Sequence, residues 1–204
     1  FGIMMICDEV MMGWGRTGEM FAFENWDVKP DLVSFAKGIT CGYVPLGGVI
    51  VDKKIADYFD DHKLMCGLTY SGHPLACAAG IATLDVYKEE KLVERSKAMG
   101  KILGQIEEEL KRKHPCVGDV RYKGLFSAIE LVKDKETKEP LVEYNKDPEN
   151  IMGEIIGALK KKGFSTYSHE NNIIVAPPLI ITETELRDAM AIMDEVLTDV
   201  DAMI

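Results

Sequence analysis

Three short apolar runs, two of them closed by charged side chains, constrain the fold of this chain most. Phe1-Gly2-Ile3-Met4-Met5-Ile6-Cys7 ends in Asp8-Glu9, Leu32-Val33-Ser34-Phe35-Ala36 ends in Lys37-Gly38, and Gly47-Gly48-Val49-Ile50-Val51 follows Pro45. Runs this short read as strands, and the first, continuously apolar, reads as a strand buried on both faces, as in a parallel sheet. The connection Gly13-Trp14-Gly15-Arg16-Thr17-Gly18 is rich in glycine. Such strands predict an α/β architecture and suggest the edge of a larger sheet. The charged residues then fall at carboxyl ends of strands, the edge where open α/β sheets bind ligands.

From Asp52 the pattern turns helical. His73-Pro74 followed by Leu75-Ala76-Cys77-Ala78-Ala79-Gly80-Ile81-Ala82 predicts a helix of small residues suited to an interior or an interface. Residues 88 to 113 place Leu92, Val93, Met99, Ile102, Leu103, Ile106 and Leu110 at helical spacing, and Pro115 ends the stretch. Val117 to Val132 predicts strands around Lys123-Gly124, and the charged segment from Lys133 to Pro148 predicts a surface loop. A helix from about Asp147 to Lys162, a strand through Asn172-Ile173-Ile174-Val175-Ala176 and a last helix behind the capping box Thr182-Glu183-Thr184-Glu185 complete the chain. The division falls near residue 88. Residues 1–87 belong to one domain, and 88–204 form a small α+β domain.

Composition excludes several classes. With 47% hydrophobic and 28% charged residues the chain is that of an ordinary globular protein. Its net charge of −10, without a basic stripe, argues against a nucleic-acid partner. No apolar stretch is long enough to span a membrane. The five cysteines include no CxxC pair, so neither a disulfide framework nor a zinc site is expected, and a reducing, cytoplasmic setting fits. The histidines at 62, 73, 114 and 169 lack metal-ligand spacing, and Ser71 does not sit in a GxSxG elbow. The start at Phe1, without methionine and already inside an apolar run, is read as the C-terminal part of a longer protein.

Lys37 is the most informative residue. A lysine delivered by a strand to the top of a sheet and stripped of hydration can form a Schiff base with a carbonyl. In isolation, a solvated lysine at a strand end is the commoner reading. Asp8 changes the balance, because Schiff-base chemistry with pyridoxal phosphate also needs a carboxylate that keeps the pyridine nitrogen protonated. Adjacent strands ending in Asp8 and Lys37 would supply both groups.

The segments Asp8-Glu9-Val10, Gly13-Trp14-Gly15-Arg16-Thr17-Gly18, Pro30-Asp31, Ala36-Lys37-Gly38 and Pro45-Leu46-Gly47-Gly48 together resemble the signature of the class III (omega-amino acid) pyridoxal-phosphate aminotransferases. Gly67-Leu68-Thr69-Tyr70-Ser71-Gly72-His73-Pro74, the strands on either side of Gly124 and Ala176-Pro177-Pro178-Leu179 resemble later landmarks of that family, in the same order. The resemblance implies fold type I, with residues 1–87 as the last strands of the large, cofactor-binding domain. It implies pyridoxal 5′-phosphate as cofactor and a transaminase passing an amino group from an omega-amino acid or terminal amine, of taurine, β-alanine or 4-aminobutyrate type, to a 2-oxo acid. By the same resemblance Lys37 is the Schiff-base lysine and proton carrier, Asp8 pairs with the pyridinium nitrogen, Val10 packs on the ring and Thr69 binds the phosphate. In the family that last contact crosses a dimer interface, so a homodimer is expected.

The resemblance departs at Met11, where many members carry glutamine near the cofactor's phenolic oxygen. It departs again before Ala176, where many members hold the substrate carboxylate with an arginine and this chain has Tyr167, Ser168, His169 and Glu170. His169 is the candidate for that duty. The family's main phosphate loop and its ring-stacking aromatic would precede Phe1. A mutase or racemase of the same cofactor class, and a non-catalytic dimerisation module, are the alternative readings.

Overall fold

A computed structural model describes residues 2–204, which divide into two compact units, residues 2–94 and 95–204. No helix among the described residues is long and apolar enough to cross a membrane.

The first unit is built on a three-stranded sheet of β1 (Ile6–Asp8), β2 (Leu32–Phe35) and β3 (Gly48–Val51), in that order. β1 and β2 run parallel, with Asp8 opposite Ser34, and β3 returns antiparallel to β2. The strands lie where the apolar runs predict, but β1 is not buried on both faces. Ile6 is 66% exposed, and among the described residues β2 is the strand that pairs with β1. Asp31 fixes the entry of the sheet. Its carboxylate accepts the Met5 amide at 2.7 Å and pairs with Lys54, while its carbonyl accepts the Asp52 amide. The Lys54 hydrogen bond, with that of Met5, holds the Asp31 carboxyl below its ordinary range.

Helix α1 (Lys53–Asp61) starts from Asp52, whose side chain accepts the Lys54 amide, and α2 (Pro74–Glu89) carries proline in its first turn. Of the two settings its small residues suit, an interior or an interface, α2 does not take the first within this chain. It buries the narrow stripe Ala76, Gly80 and Tyr87, and leaves Leu75, Ile81 and Val86 exposed. Gly80 permits that stripe to approach the sheet's connections, since a Cβ there would lie 3.1 Å from Leu46 and 3.7 Å from Ile39.

In the second unit, which takes up all but the first three residues of α3 (Leu92–Lys113), a sheet runs in the order β4 (Val117–Lys123), β5 (Phe126–Asp134), β8 (Asn172–Val175), β7 (Ser168–His169), all antiparallel. Helices α4 (Ile151–Lys161) and α5 (Glu183–Asp201) contribute Met152, Ile155, Leu159, Leu186, Met190, Met193 and Leu197 to a core with Leu103, Leu125, Ile129, Leu131 and Ile173. The capping box is present as predicted, with Thr182 Oγ1 accepting the Glu185 amide and Glu185 accepting the Thr182 amide. The helix predicted from Asp147 begins instead at Ile151, where the Asp147 carboxylate accepts the Ile151 and Met152 amides.

The segment 133–148 is not wholly a surface loop. Glu139–Pro140 form β6 against β5, and Leu141 and Val142 are buried in the core. The side chain of Asn171 clasps Val142, accepting its amide at 2.8 Å and donating to its carbonyl at 2.9 Å. Helix α3 approaches the β4–β5 hairpin so closely that a Cβ on Gly100 would collide with the Gly124 backbone and one on Gly104 with the Tyr122 ring.

Candidate functional site

Asp8 is the last residue of β1, and Lys37 stands two residues beyond the end of the parallel neighbour β2. The register places Asp8 opposite Ser34, three residues before the lysine. The sheet therefore brings the carboxylate and the amine to the same edge, the carboxyl ends of adjacent parallel strands. Asp8 Oδ1 accepts the Val10 amide at 3.0 Å and the Ser34 hydroxyl at 3.3 Å. These bonds orient the carboxylate, and Oδ2 accepts no hydrogen bond among the described residues. Val10, half-buried, opens the turn that follows β1.

Lys37 opens a short 3-10 turn, Lys37–Ile39, with φ of +43°. A left-handed backbone on a long side chain costs about 1–3 kcal/mol and persists only where surrounding structure enforces it. Two close approaches surround this turn, each at a glycine. A Cβ on Gly38 would meet the Trp14 side chain at 2.7 Å, and one on Gly47 would meet the Phe35 carbonyl at 3.0 Å. Trp14 is itself seated between Phe21 and Phe35, with ring centroids 5.2 and 5.3 Å away. The exposed Lys37 Nζ enters no ion pair or hydrogen bond among the described residues.

Two residues of this edge carry no local sequence signal for their roles. Glu9, beside Asp8, is 3% exposed and its two carboxylate oxygens accept the amides of Ala22 and Phe23, each at 2.9 Å. It thus caps the 3-10 helix Ala22–Trp26 and pins the glycine-rich connection against the end of β1. Ser34 is the single polar residue in an otherwise apolar strand, and its hydroxyl steadies Asp8.

Thr69 lies in an exposed turn closed by the Ser71 amide on the Leu68 carbonyl. It caps no helix. That role in α2 falls to His73, whose Nδ1 accepts the Leu75 amide. His169 is exposed on β7, in the second unit, where Asn172 donates to its carbonyl. The structure thus brings together Asp8, Val10 and Lys37 at one sheet edge. It sets Thr69 in a separate turn of the same unit, and His169 belongs to the other unit.

The donor set fits pyridoxal phosphate. An anchored carboxylate with one oxygen open suits a pyridinium N–H, an unpaired primary amine suits an aldehyde carbon, and a solvent-facing hydroxyl suits a phosphate.

Comparison with known proteins agrees. The profile described as aminotransferase class-III matches residues 1–197. The structure of the taurine:2-oxoglutarate aminotransferase from Bifidobacterium kashiwanohense, in complex with PLP and glutamate, is 54% identical, with a TM-score of 0.95 over 98% of this chain and 45% of that one. An aminotransferase of Bacillus subtilis, YhxA, is 41% identical over 91% of this chain and 42% of its own length. The taurine–pyruvate aminotransferase of Bilophila wadsworthia is 34% identical over 98% of this chain and 46% of its own length. The chain thus spans a little under half the length of these relatives. Class III aminotransferases use pyridoxal phosphate, and the likeness to solved transaminases gives this chain their fold, the α/β fold type I. With a matching profile across nearly its whole length, a solved relative of more than half its sequence and a lysine–aspartate pair on adjacent strand ends, the chain belongs to the class III aminotransferase family.

Proposed function

We propose that the protein is a pyridoxal-phosphate-dependent transaminase, passing an amino group from an omega-amino acid or terminal amine to a 2-oxo acid such as pyruvate or 2-oxoglutarate. The observation that carries this reading is the placement of Asp8 and Lys37 at the carboxyl ends of two adjacent parallel strands, with Lys37 in a left-handed turn. In this reading residues 1–87 act as the C-terminal part of the cofactor-binding domain and 88–204 as the small domain, a division supported by the two compact units that meet at Glu94 and Arg95.

Bound pyridoxal phosphate supplies an aldehyde for amine exchange and a protonated ring that takes up an electron pair from the substrate carbon. Lys37 Nζ would hold the group at its aldehyde carbon and, as a free amine, would carry the proton of the amino-bearing carbon. The Asp8 carboxylate, steadied by Ser34 and the Val10 amide, holds the proton on the ring nitrogen. Val10 offers a stiff β-branched wall to a flat ring, and Thr69 donates its hydroxyl to phosphate. His169 is assigned to the substrate carboxylate, since no arginine lies between residues 122 and 186.

Donors of the taurine, β-alanine or 4-aminobutyrate type are favoured, and named relatives act on taurine or γ-aminobutyrate. Exposed Leu64, Met65, Leu68, Tyr70, Leu75 and Ile81 around the Thr69 turn support a homodimer with shared sites, which light scattering checks. The composition favours a cytoplasmic setting. The test of the activity is Lys37→Ala in the protein as isolated. Loss of amino transfer and of imine formation with an unchanged circular dichroism spectrum is expected, and a variant that still transaminates overturns the assignment. Turnover that needs no 2-oxo acid acceptor would favour a mutase or racemase instead.

A further inference from the structure

The carbonyl oxygen of Gly38, the residue after Lys37, receives two donors from outside its own turn. The Tyr87 hydroxyl, on α2, reaches it at 3.4 Å, and the Cys41 thiol reaches it at 3.6 Å. Tyr87 is 5% exposed and lies on the same stripe of α2 as Ala76 and Gly80, with Gly80 packed toward Ile39, the last residue of the lysine's 3-10 turn. Cys41 has φ of +49°, which folds the chain back so that its thiol faces the peptide it has just left. Trp14 closes the other side of Gly38, where no Cβ fits. Thus the peptide that follows the lysine's left-handed residue, Gly38 to Ile39, meets an aromatic wall, a buried phenol and a thiol.

We propose that Tyr87 is a positioning residue for Lys37: with Cys41 it clamps the Gly38 carbonyl, and so holds the left-handed turn that presents the amine at the sheet edge. The proposal rests on the reading of Lys37 as the imine-forming residue. Burial, and after it the neighbouring Cys41, drive the Tyr87 phenol upward from its ordinary value, so the hydroxyl keeps its proton at any working pH. The guanidinium of Arg16, from the glycine-rich connection, lies within electrostatic reach of both donors. Burial lowers its own value, while Tyr87 and Cys41 act to raise it.

The test uses Tyr87→Phe, which keeps the packed ring, and Cys41→Ala, read in two ways that need no catalytic turnover. The first is hydrogen exchange of the Ile39 and Thr40 amides, which close the turn onto Ala36 and Lys37. Exchange faster by up to about fivefold in Tyr87→Phe, the most that the loss of one hydrogen bond would give, is expected at these amides, with β2 and β3 unchanged. The second is reductive methylation by formaldehyde and cyanoborohydride, mapped by peptide, of Lys37 against Lys53 and Lys54 in the same unit. A change in labelling at Lys37 alone is expected. Unchanged exchange and labelling, or a uniform change across the sheet and all three lysines, would overturn the clamp. Capture of pyridoxal phosphate on Lys37 in the unaltered protein is measured alongside. Its absence sinks the reading of Lys37 itself, whereas its presence with an unresponsive Tyr87→Phe sinks the clamp alone.

Discussion

Glu107 on α3 is wholly buried, and one of its carboxyl oxygens accepts the Ser127 hydroxyl while the other has no partner among the described residues. Ionisation would place a charge on an oxygen that nothing solvates, and burial raises this carboxyl to about 8, with the Ser127 bond opposing and Glu108 adding to the rise. A folded-state value above the unfolded one, 4.5, means that folding is favoured most below the unfolded value. That advantage is lost as pH rises toward the folded one. At about 1.4 kcal/mol per unit, the second unit should lose on the order of 4 kcal/mol between pH 4.5 and 8 from this group. Glu107→Gln keeps the acceptor for Ser127 and cannot ionise. Urea unfolding followed by circular dichroism at 222 nm, a signal from the helices, measures the difference. Tryptophan emission would not serve, because Trp14 and Trp26 both lie in the first unit. The variant should match the original protein near pH 5 and exceed it by on the order of 4 kcal/mol at pH 9. Parallel stability profiles over that range would refute the reasoning.

His114, 1% exposed, bridges two carboxylates of α5, with Nδ1 at 2.6 Å from Asp201 and Nε2 at 2.8 Å from Asp194. His114→Ala should cost about 2–3 kcal/mol in the same unfolding assay, because it removes a hydrogen bond from each carboxylate and leaves a cavity where a buried ring stood. Burial alone would raise Asp194 and Asp201, but hydrogen bonds from Lys113, His114 and Cys116 outweigh it and leave both lowered. Their contribution is therefore present above the ordinary aspartate range and is lost as pH falls below about 4. An acid-unfolding scan should show a shallower loss in His114→Ala. Gly100→Ala, whose Cβ meets the Gly124 backbone, should destabilise the second unit by about 1–3 kcal/mol, read as a lower Tm. Thr182→Ala removes the acceptor of the Glu185 amide and should cost about 1 kcal/mol of unfolding free energy.

Much of the site's first layer was legible because strands deliver side chains in sequence order. Asp8 and Lys37 each close an apolar run, so locating the runs located the sheet edge. The supporting layer was not, because it is made by contacts between distant segments. Nothing beside Glu9 tells it from Asp8, yet one carboxylate is buried on the amides of Ala22 and Phe23 while the other stands open. Tyr87 lies 49 residues from the carbonyl it holds. His114 lies 80 and 87 residues from its partners. Leu141 and Val142 read as part of a charged loop, because their burial depends on the Asn171 clasp. The burial of β1 differs from its composition for a related reason, since composition describes what a strand can pack against, not what covers its faces among the described residues. Glu107 was within reach of the sequence. It sits four residues after Leu103 and three before Leu110, a carboxyl inside an apolar helical stripe.

The central claim is that Lys37 carries pyridoxal phosphate as an imine beside Asp8. Borohydride reduction of the purified protein loaded with pyridoxal phosphate, followed by peptide mapping, tests it most directly. The account predicts a reduced pyridoxyl adduct on Lys37, absent in Lys37→Ala and weakened in Asp8→Asn. An adduct on another lysine, or none on Lys37 in protein that holds the cofactor, would contradict it.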